Sequence, residues 1–256
     1  MIIDVNAYLG PFAFRRLEHH TAPGLLRLMD NKRIDRALVS SATAITYRNP
    51  QAANEDLMRE CQGQHDRLLP LAVINPAYAD WQHDLKVCRE KWEMIGLRLY
   101  PKWHNYSLSD PRCLEMVNMA AEMGMVVTIP MRVEDYRQRS WLVDVPDVAL
   151  DEVAPLVKAC PRAKFLLLNG LRYTASPLGR TEGGPNYLIE ISRLTALMEN
   201  EIGQLIAALG ADRLVFGSGM PFSYPDPALL KLEVLRASNE DKQKIYGTNA
   251  AQWLRL

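Results

Sequence analysis

Short apolar runs rich in Val, Ile and Leu recur along this chain at intervals of roughly 25 to 35 residues, with helically periodic stretches between them. Strands that are buried on both faces read as such runs, so the alternation predicts a parallel sheet covered by helices. The predicted strands are Met1–Ala7, Arg36–Ser41, Leu68–Ile74, Met94–Tyr100, Met125–Met131, Lys164–Gly170, Tyr187–Ser192 and Arg213–Gly219. Eight strands in 256 residues match a (β/α)8 TIM barrel, which commonly spans about 250 residues as one domain. A single domain over residues 1–256 is therefore expected. The competing fold, an open doubly wound sheet, loses support because no G-x-G-x-x-G follows the first strand and no G-x-x-x-x-G-K-[ST] occurs.

The helical stretches carry end signals. In Ser109–Gly124 a Ser/Asp cap precedes Pro111, Leu114, Val117 and Ala121 mark one face, and Gly124 closes the end. In Thr195–Gly210 the residues Met198, Ile202, Leu205, Ile206 and Leu209 form a stripe predicted to face the core. Arg172–Asn186, with two prolines and three glycines, reads as the longest irregular segment, either a lid at a barrel mouth or a solvated connection.

Thirty Lys+Arg balance thirty Asp+Glu, so no global field draws in nucleic acid or an anionic membrane. No apolar stretch approaches the roughly 18 residues a membrane span requires, and the N-terminus lacks a signal-peptide pattern. Cys61, Cys88, Cys113 and Cys160 are too far apart for a zinc ribbon or a disulfide framework. They read as reduced, mostly buried thiols, and a cytoplasmic protein is expected.

In a barrel the working side chains sit at the C-terminal ends of the strands. The first strand delivers Asn6 and Tyr8 on one face, the fourth Arg98 and Tyr100 followed by His104, and the fifth Thr128, Pro130 and Arg132. The sixth runs out through Asn169 and Arg172, the seventh through Ser192 and Arg193, and the eighth through Gly217-Ser218-Gly219. Arginine recurs at these ends. Its planar fork matches a carboxylate or phosphate, so Arg98, Arg132, Arg172 and Arg193 either hold an anionic ligand or pair with acids such as Glu134, Asp135, Glu182 and Glu190. Ser218 lacks the G-x-S-x-G spacing of a nucleophile elbow, and the adjacent His19 and His20 have no further metal ligands nearby.

Several pieces in order then resemble the amidohydrolase-related family. They are Ile2-Ile3-Asp4-Val5, Ala72-Val73-Ile74-Asn75-Pro76, Gly96-Leu97-Arg98-Leu99-Tyr100-Pro101, Arg213-Leu214-Val215-Phe216-Gly217-Ser218 and Ile245-Tyr246-Gly247-Thr248-Asn249-Ala250-Ala251. The resemblance implies a TIM barrel of the metal-dependent hydrolase and decarboxylase type, and it implies a homodimer. The family's metal-binding residues have no counterparts in this chain. D-x-H-x-H reads Asp4-Val5-Asn6-Ala7-Tyr8, the fifth and sixth strands offer Thr128-Ile129-Pro130-Met131 and Leu167-Leu168-Asn169-Gly170 where a His is expected, and G-[ST]-D-x-P reads Gly217-Ser218-Gly219-Met220-Pro221. No metal or other cofactor is expected.

Three functions compete. The first is binding of a small anionic, carboxylate-type molecule at the barrel mouth by Asn6, Arg98, Arg132, Asn169, Arg172 and Arg193. The second is a metal-independent lactonase, esterase or decarboxylase in which Tyr8, Tyr100 and His104 move protons while Arg98 and Arg132 stabilise developing charge. The third is a non-catalytic dimeric assembly module.

Overall fold

A computed structural model describes residues 1–256. Eight strands, β1 (Ile3–Leu9), β2 (Arg36–Ser41), β3 (Leu68–Val73), β4 (Gly96–Arg98), β5 (Val126–Pro130), β6 (Lys164–Leu168), β7 (Tyr187–Glu190) and β8 (Leu214–Val215), pair in chain order, all parallel. The sheet closes on itself. The Val5 amide donates to the Phe216 carbonyl at 3.1 Å, the Gly219 amide to the Asn6 carbonyl at 2.8 Å and the Tyr8 amide to the Met220 carbonyl at 2.9 Å. The chain is thus a single (β/α)8 barrel, as the apolar periodicity predicts.

Helices α1 (Ala22–Lys32), α2 (Gln51–Glu60), α3 (Trp81–Lys86), α4 (Pro111–Glu122), α5 (Leu150–Ala159), α6 (Glu201–Leu209) and α7 (Asp226–Val234) wrap the outside, followed by the short α8 (Asn239–Gln243) and α9 (Asn249–Leu254). Asp110 caps α4 by accepting from the Arg112 amide, and Pro111 fills the first turn, where its missing N–H costs nothing. Asn249 anchors α9 beneath the barrel through hydrogen bonds to the carbonyls of Ala211 and Leu214, both at 2.8 Å.

The apolar packing separates into layers. One cluster takes Ile3, Val5, Leu38, Leu71, Val126, Leu166, Leu188 and Val215 from seven strands and contacts only α9 among the helices. A cluster shared by that many strands lies inside the barrel. The larger cluster, with Leu25, Leu57, Leu85, Met116, Val153 and Leu205, lies between strands and helices. All four cysteines are buried and unpaired.

Some elements depart from the sequence reading. The core face of α4 is Cys113, Met116, Val117 and Ala120, one position before the expected Leu114 and Ala121. The predicted helix over Thr195–Gly210 begins only at Glu201, and Met198 stands 82% exposed rather than in the core. The chain turns sharply through Glu199 and Asn200, both at positive φ, and the Asn200 side chain caps α6 from there. The longest irregular segment is 131–149, after β5. The connection over Arg172–Asn186 instead folds into three short 3-10 turns, with Tyr173 and Leu178 buried. β4 and β8 are shorter than expected. Beyond Val215 the chain bonds to β1 and to Ile245 rather than continuing a ladder with β7.

Candidate functional site

A cleft of about 540 Å³ opens over the C-terminal ends of β5 to β8. Its floor holds Asn169, Ser192 and Ser218, and its walls carry Arg15, Arg132 and Arg193 together with Glu134 and Asp135. No residue of the Arg172–Asn186 connection lines it, so that connection is not a lid over this cleft. The 131–149 segment supplies that wall instead.

Beneath the floor runs a polar network that ties four strand ends together. Asp4 on β1 accepts from the Ser218 hydroxyl at 2.5 Å, the Ser218 amide at 3.1 Å and the Asn6 amide at 2.8 Å. Asn6 donates through Nδ2 to Asn169 Oδ1 at 2.7 Å, and Asn169 Nδ2 donates to Ser192 Oγ at 3.0 Å. The Ser192 hydroxyl donates to Glu190 Oε2 at 2.9 Å, the Asn169 amide reaches the same oxygen at 2.8 Å, and the Ser192 amide donates to Oε1. Gly217 is the residue this crowding permits, since a Cβ there would stand 2.5 Å from Glu190 Cγ. Burial pushes the Asp4 carboxyl up to about 6 against the pull of its hydrogen bonds to Ser218 and Asn6. Burial likewise pushes Glu190 up to about 7, and the nearby Asp4 adds to the rise.

The expected site residues separate into groups. Asn169, Arg132 and Arg193 meet at the cleft, with Asn6 bonded directly below Asn169. Arg132 pairs with Asp135 at 3.0 Å, and that carboxylate also serves Arg137. Arg193 donates to the Asn169 carbonyl at 2.8 Å, and its nearest carboxylate oxygen, on Asp147, lies 3.8 Å away. The Arg193 guanidinium is held below its ordinary range by burial first and by Arg132 second. Two like charges therefore converge on one half-buried cleft. Arg172 is exposed, outside the cleft and free of ion pairs.

Arg98, Tyr8 and Tyr100 lie inside the barrel and do not line the cleft. Arg98 has no exposed surface. It donates to the carbonyls of Val5 and Ala7 at 3.2 and 3.1 Å and to the hydroxyls of Ser40 and Thr128 at 3.0 Å each. Its guanidinium carbon sits 4.8 Å from the centre of the Tyr8 ring, a cation–π contact. Burial raises both tyrosines above the ordinary phenol range. His104 borders a different groove, with Tyr47, Tyr78 and Trp103, and its Nε2 lies 3.0 Å from the Ala44 carbonyl. Burial lowers it to about 4, so it is neutral at physiological pH.

Nowhere in the chain do three His, Cys, Asp or Glu side chains converge as a metal site requires. Two acids central to the polar network, Asp4 and Glu190, were not among the expected site residues. Their signal is a carboxylate inside an apolar strand, Ile2-Ile3-Asp4-Val5 and Leu188-Ile189-Glu190-Ile191. Such a residue is buried with its donors or not at all.

Eight parallel strands with a polar cleft over their C-terminal ends define a TIM-barrel protein of the kind that builds its site from strand-end loops. A family model described as amidohydrolase matches residues 18–256, and the chain belongs to the amidohydrolase family. The match begins after β1. A search of curated protein sequences returns no match. Among solved structures, 2,6-dihydroxybenzoate decarboxylase complexed with 2,6-dihydroxybenzoate is 19% identical, with a TM-score of 0.69 over 90% of this chain and 87% of that one. A dihydroxybenzoic acid decarboxylase from Polaromonas sp. JS666, with bound manganese and 2-nitroresorcinol, is 17% identical, with a TM-score of 0.68 over 91% and 85%. 4-Oxalomesaconate hydratase from Rhodopseudomonas palustris is 17% identical, with a TM-score of 0.72 over 100% and 96%. These likenesses are likenesses of fold.

Proposed function

We propose that this protein binds a small carboxylate at the barrel mouth, between Arg132 and Arg193 and above Asn169 and Ser192. The observation that carries the reading is the convergence of those two half-buried guanidinium groups, each incompletely neutralised. An anion between them relieves their mutual repulsion and offers both forks an acceptor. At about 540 Å³ the cleft falls within the usual range of roughly 300–1,000 Å³ for small-molecule sites. A structure of similar fold holds 2,6-dihydroxybenzoate, a small aromatic carboxylate, which makes that molecule the first ligand to try.

We further propose that the site does not work through a divalent metal. Zinc-type chemistry needs about three firm protein ligands. The strand ends offer amide, phenol and hydroxyl groups, and the carboxylates of Asp4 and Glu190 already accept three hydrogen bonds each. That donor set does not fit such an ion, and no step here is routed through one. The reading gives Tyr8, Arg98, Tyr100 and His104 no contact with the ligand, because none of them lines the cleft.

The test is a thermal-shift titration with 2,6-dihydroxybenzoate. A ligand at a hundredfold its Kd stabilises by about 2.7 kcal/mol, and the shift is expected to shrink with added salt and to vanish in Arg132→Met/Arg193→Met. An equal shift in the double variant, or none in the wild type at millimolar ligand, overturns the reading.

A further inference from the structure

The cleft floor contains a hydrogen-bond arrangement with two states. Glu190 has no exposed surface. Every hydrogen bond to its carboxylate comes from a neutral donor: the Asn169 amide and Ser192 hydroxyl on Oε2, and the Ser192 amide on Oε1. Ser192 Oγ also accepts from Asn169 Nδ2 at 3.0 Å, and both residues line the cleft. A serine hydroxyl has one proton and two lone pairs. While Glu190 is ionised, that proton is held down against Oε2, and the hydroxyl has only a lone pair left for the cleft. An incoming carboxylate then meets lone pair against lone pair.

A proton on Oε2 reverses the contact. Glu190 becomes the donor, Ser192 Oγ accepts from Glu190 and from Asn169, and its own proton turns to the cleft. No other bond in the cluster breaks, because Oε2 keeps a lone pair for the Asn169 amide and Oε1 keeps the Ser192 amide. The groups facing Glu190 are Asp4 and Tyr8 from β1, Tyr173 from the β6–β7 connection and Lys231 from α7. Lys231 also donates to the Ser192 carbonyl. Burial and Asp4 place the change of state near neutral pH.

Resting on the anion-site reading above, we propose that the mouth takes up its carboxylate together with one proton from solvent. The proton sits on Glu190 and is presented to the ligand as a hydrogen bond from Ser192. Glu18, His19, Glu134 and Asp135 also line the cleft, so the experiment must assign the proton to Glu190.

The experiment is calorimetric titration of the 256-residue chain with 2,6-dihydroxybenzoate in two buffers of equal pH and different ionisation enthalpy. The expected result is uptake of about half a proton per anion at pH 7, with affinity falling by up to about tenfold per pH unit above that. Glu190→Gln is expected to abolish the uptake. Ser192→Ala is expected to weaken binding about tenfold at pH 6 and to bind as tightly as the wild type or slightly more tightly at pH 8.5, where the hydroxyl offers the anion only a lone pair. Binding without proton uptake, or uptake that survives in Glu190→Gln, overturns this inference and leaves the anion site standing. If Glu190→Gln does not fold, an equal loss in Ser192→Ala at both pH values overturns it. No binding by the wild type overturns both readings.

Discussion

Arg98 and Arg193 arise from the same pattern, an arginine at the C-terminal end of a barrel strand, yet they stand in opposite surroundings. Arg98 is sealed inside the barrel, and its bonds run to two backbone carbonyls and two hydroxyls. Arg193 is half-buried at the mouth, shares a cleft with Arg132 and has its nearest carboxylate at 3.8 Å. The difference is one of depth. A guanidinium within the strand layers meets carbonyls and hydroxyls close enough to satisfy its donors, whereas one a turn higher meets solvent and its own kind. The inner arginine is therefore a strut, and the outer pair is the one on which the proposed anion site rests.

The largest expected effect falls on the strut. Arg98→Met leaves the Ser40 and Thr128 hydroxyls and the carbonyls of Val5 and Ala7 short of donors inside a sealed core. A loss of about 3–5 kcal/mol is expected in urea unfolding, by analogy with removing one member of a buried polar network. A loss under about 1 kcal/mol would break the contrast between depth and mouth.

The buried acids provide the next test. Asp4 is raised from an ordinary carboxylate value to about 6 and Glu190 to about 7. A carboxyl raised in the folded state holds its proton more tightly there than in the unfolded chain. Its contribution is thus present at low pH and lost as pH rises through the folded value. Stability is expected to fall from about pH 4 to about pH 8, by up to roughly 3 kcal/mol for each group over the whole range, with the Asp4 share lost mostly below pH 6 and the Glu190 share mostly below pH 7. Asp4→Asn preserves the geometry, since Oδ1 still accepts the Asn6 and Ser218 amides and Nδ2 can donate to Ser218 Oγ. That variant is expected to be more stable than the wild type at pH 8 and to show a shallower pH slope. A wild-type stability that rises from pH 5 to pH 8 would contradict the burial account of both acids.

At the mouth the signs reverse. Arg132→Met and Arg193→Met are expected to change folding stability by less than about 1 kcal/mol. Each is expected to lower affinity for 2,6-dihydroxybenzoate by tenfold or more, since a charge-assisted hydrogen bond is worth about 1.5–3 kcal/mol. Paired unfolding and titration measurements on the same variants set them directly against Arg98→Met.

Much of the fold was legible because apolar periodicity is a local signal. β2 falls on its predicted residues, and all eight strands appear in order. Boundaries failed where a tertiary partner took over: β8 stops at Val215 because the next residues bond to β1 and to Ile245. The site was legible as a list of strand-end residues but not as a sorting of them. Depth along a strand decides whether Arg98 or Arg132 reaches the cleft, and depth depends on where the pairing register begins. Asp4 and Glu190 were visible as acids within apolar runs, but their donors, Ser218 and Asn169, come from 214 and 21 residues away.

The smallest effect belongs to Arg172, the fourth strand-end arginine, which neither the interior nor the cleft claims. It is exposed, makes no ion pair, and occupies left-handed backbone at φ 62°. Arg172→Ala is expected to leave carboxylate affinity within about twofold and stability within about 0.5 kcal/mol, the ordinary range for an exposed substitution. Arg172→Gly sharpens the point. A left-handed φ costs a residue with a Cβ about 1 kcal/mol that glycine escapes, while glycine's freer unfolded chain returns part of that gain. The glycine variant is therefore expected to match or slightly exceed the wild type in urea midpoint with unchanged affinity. A clear loss of affinity in both variants would place Arg172 in the anion site and extend the cleft across the mouth of β6.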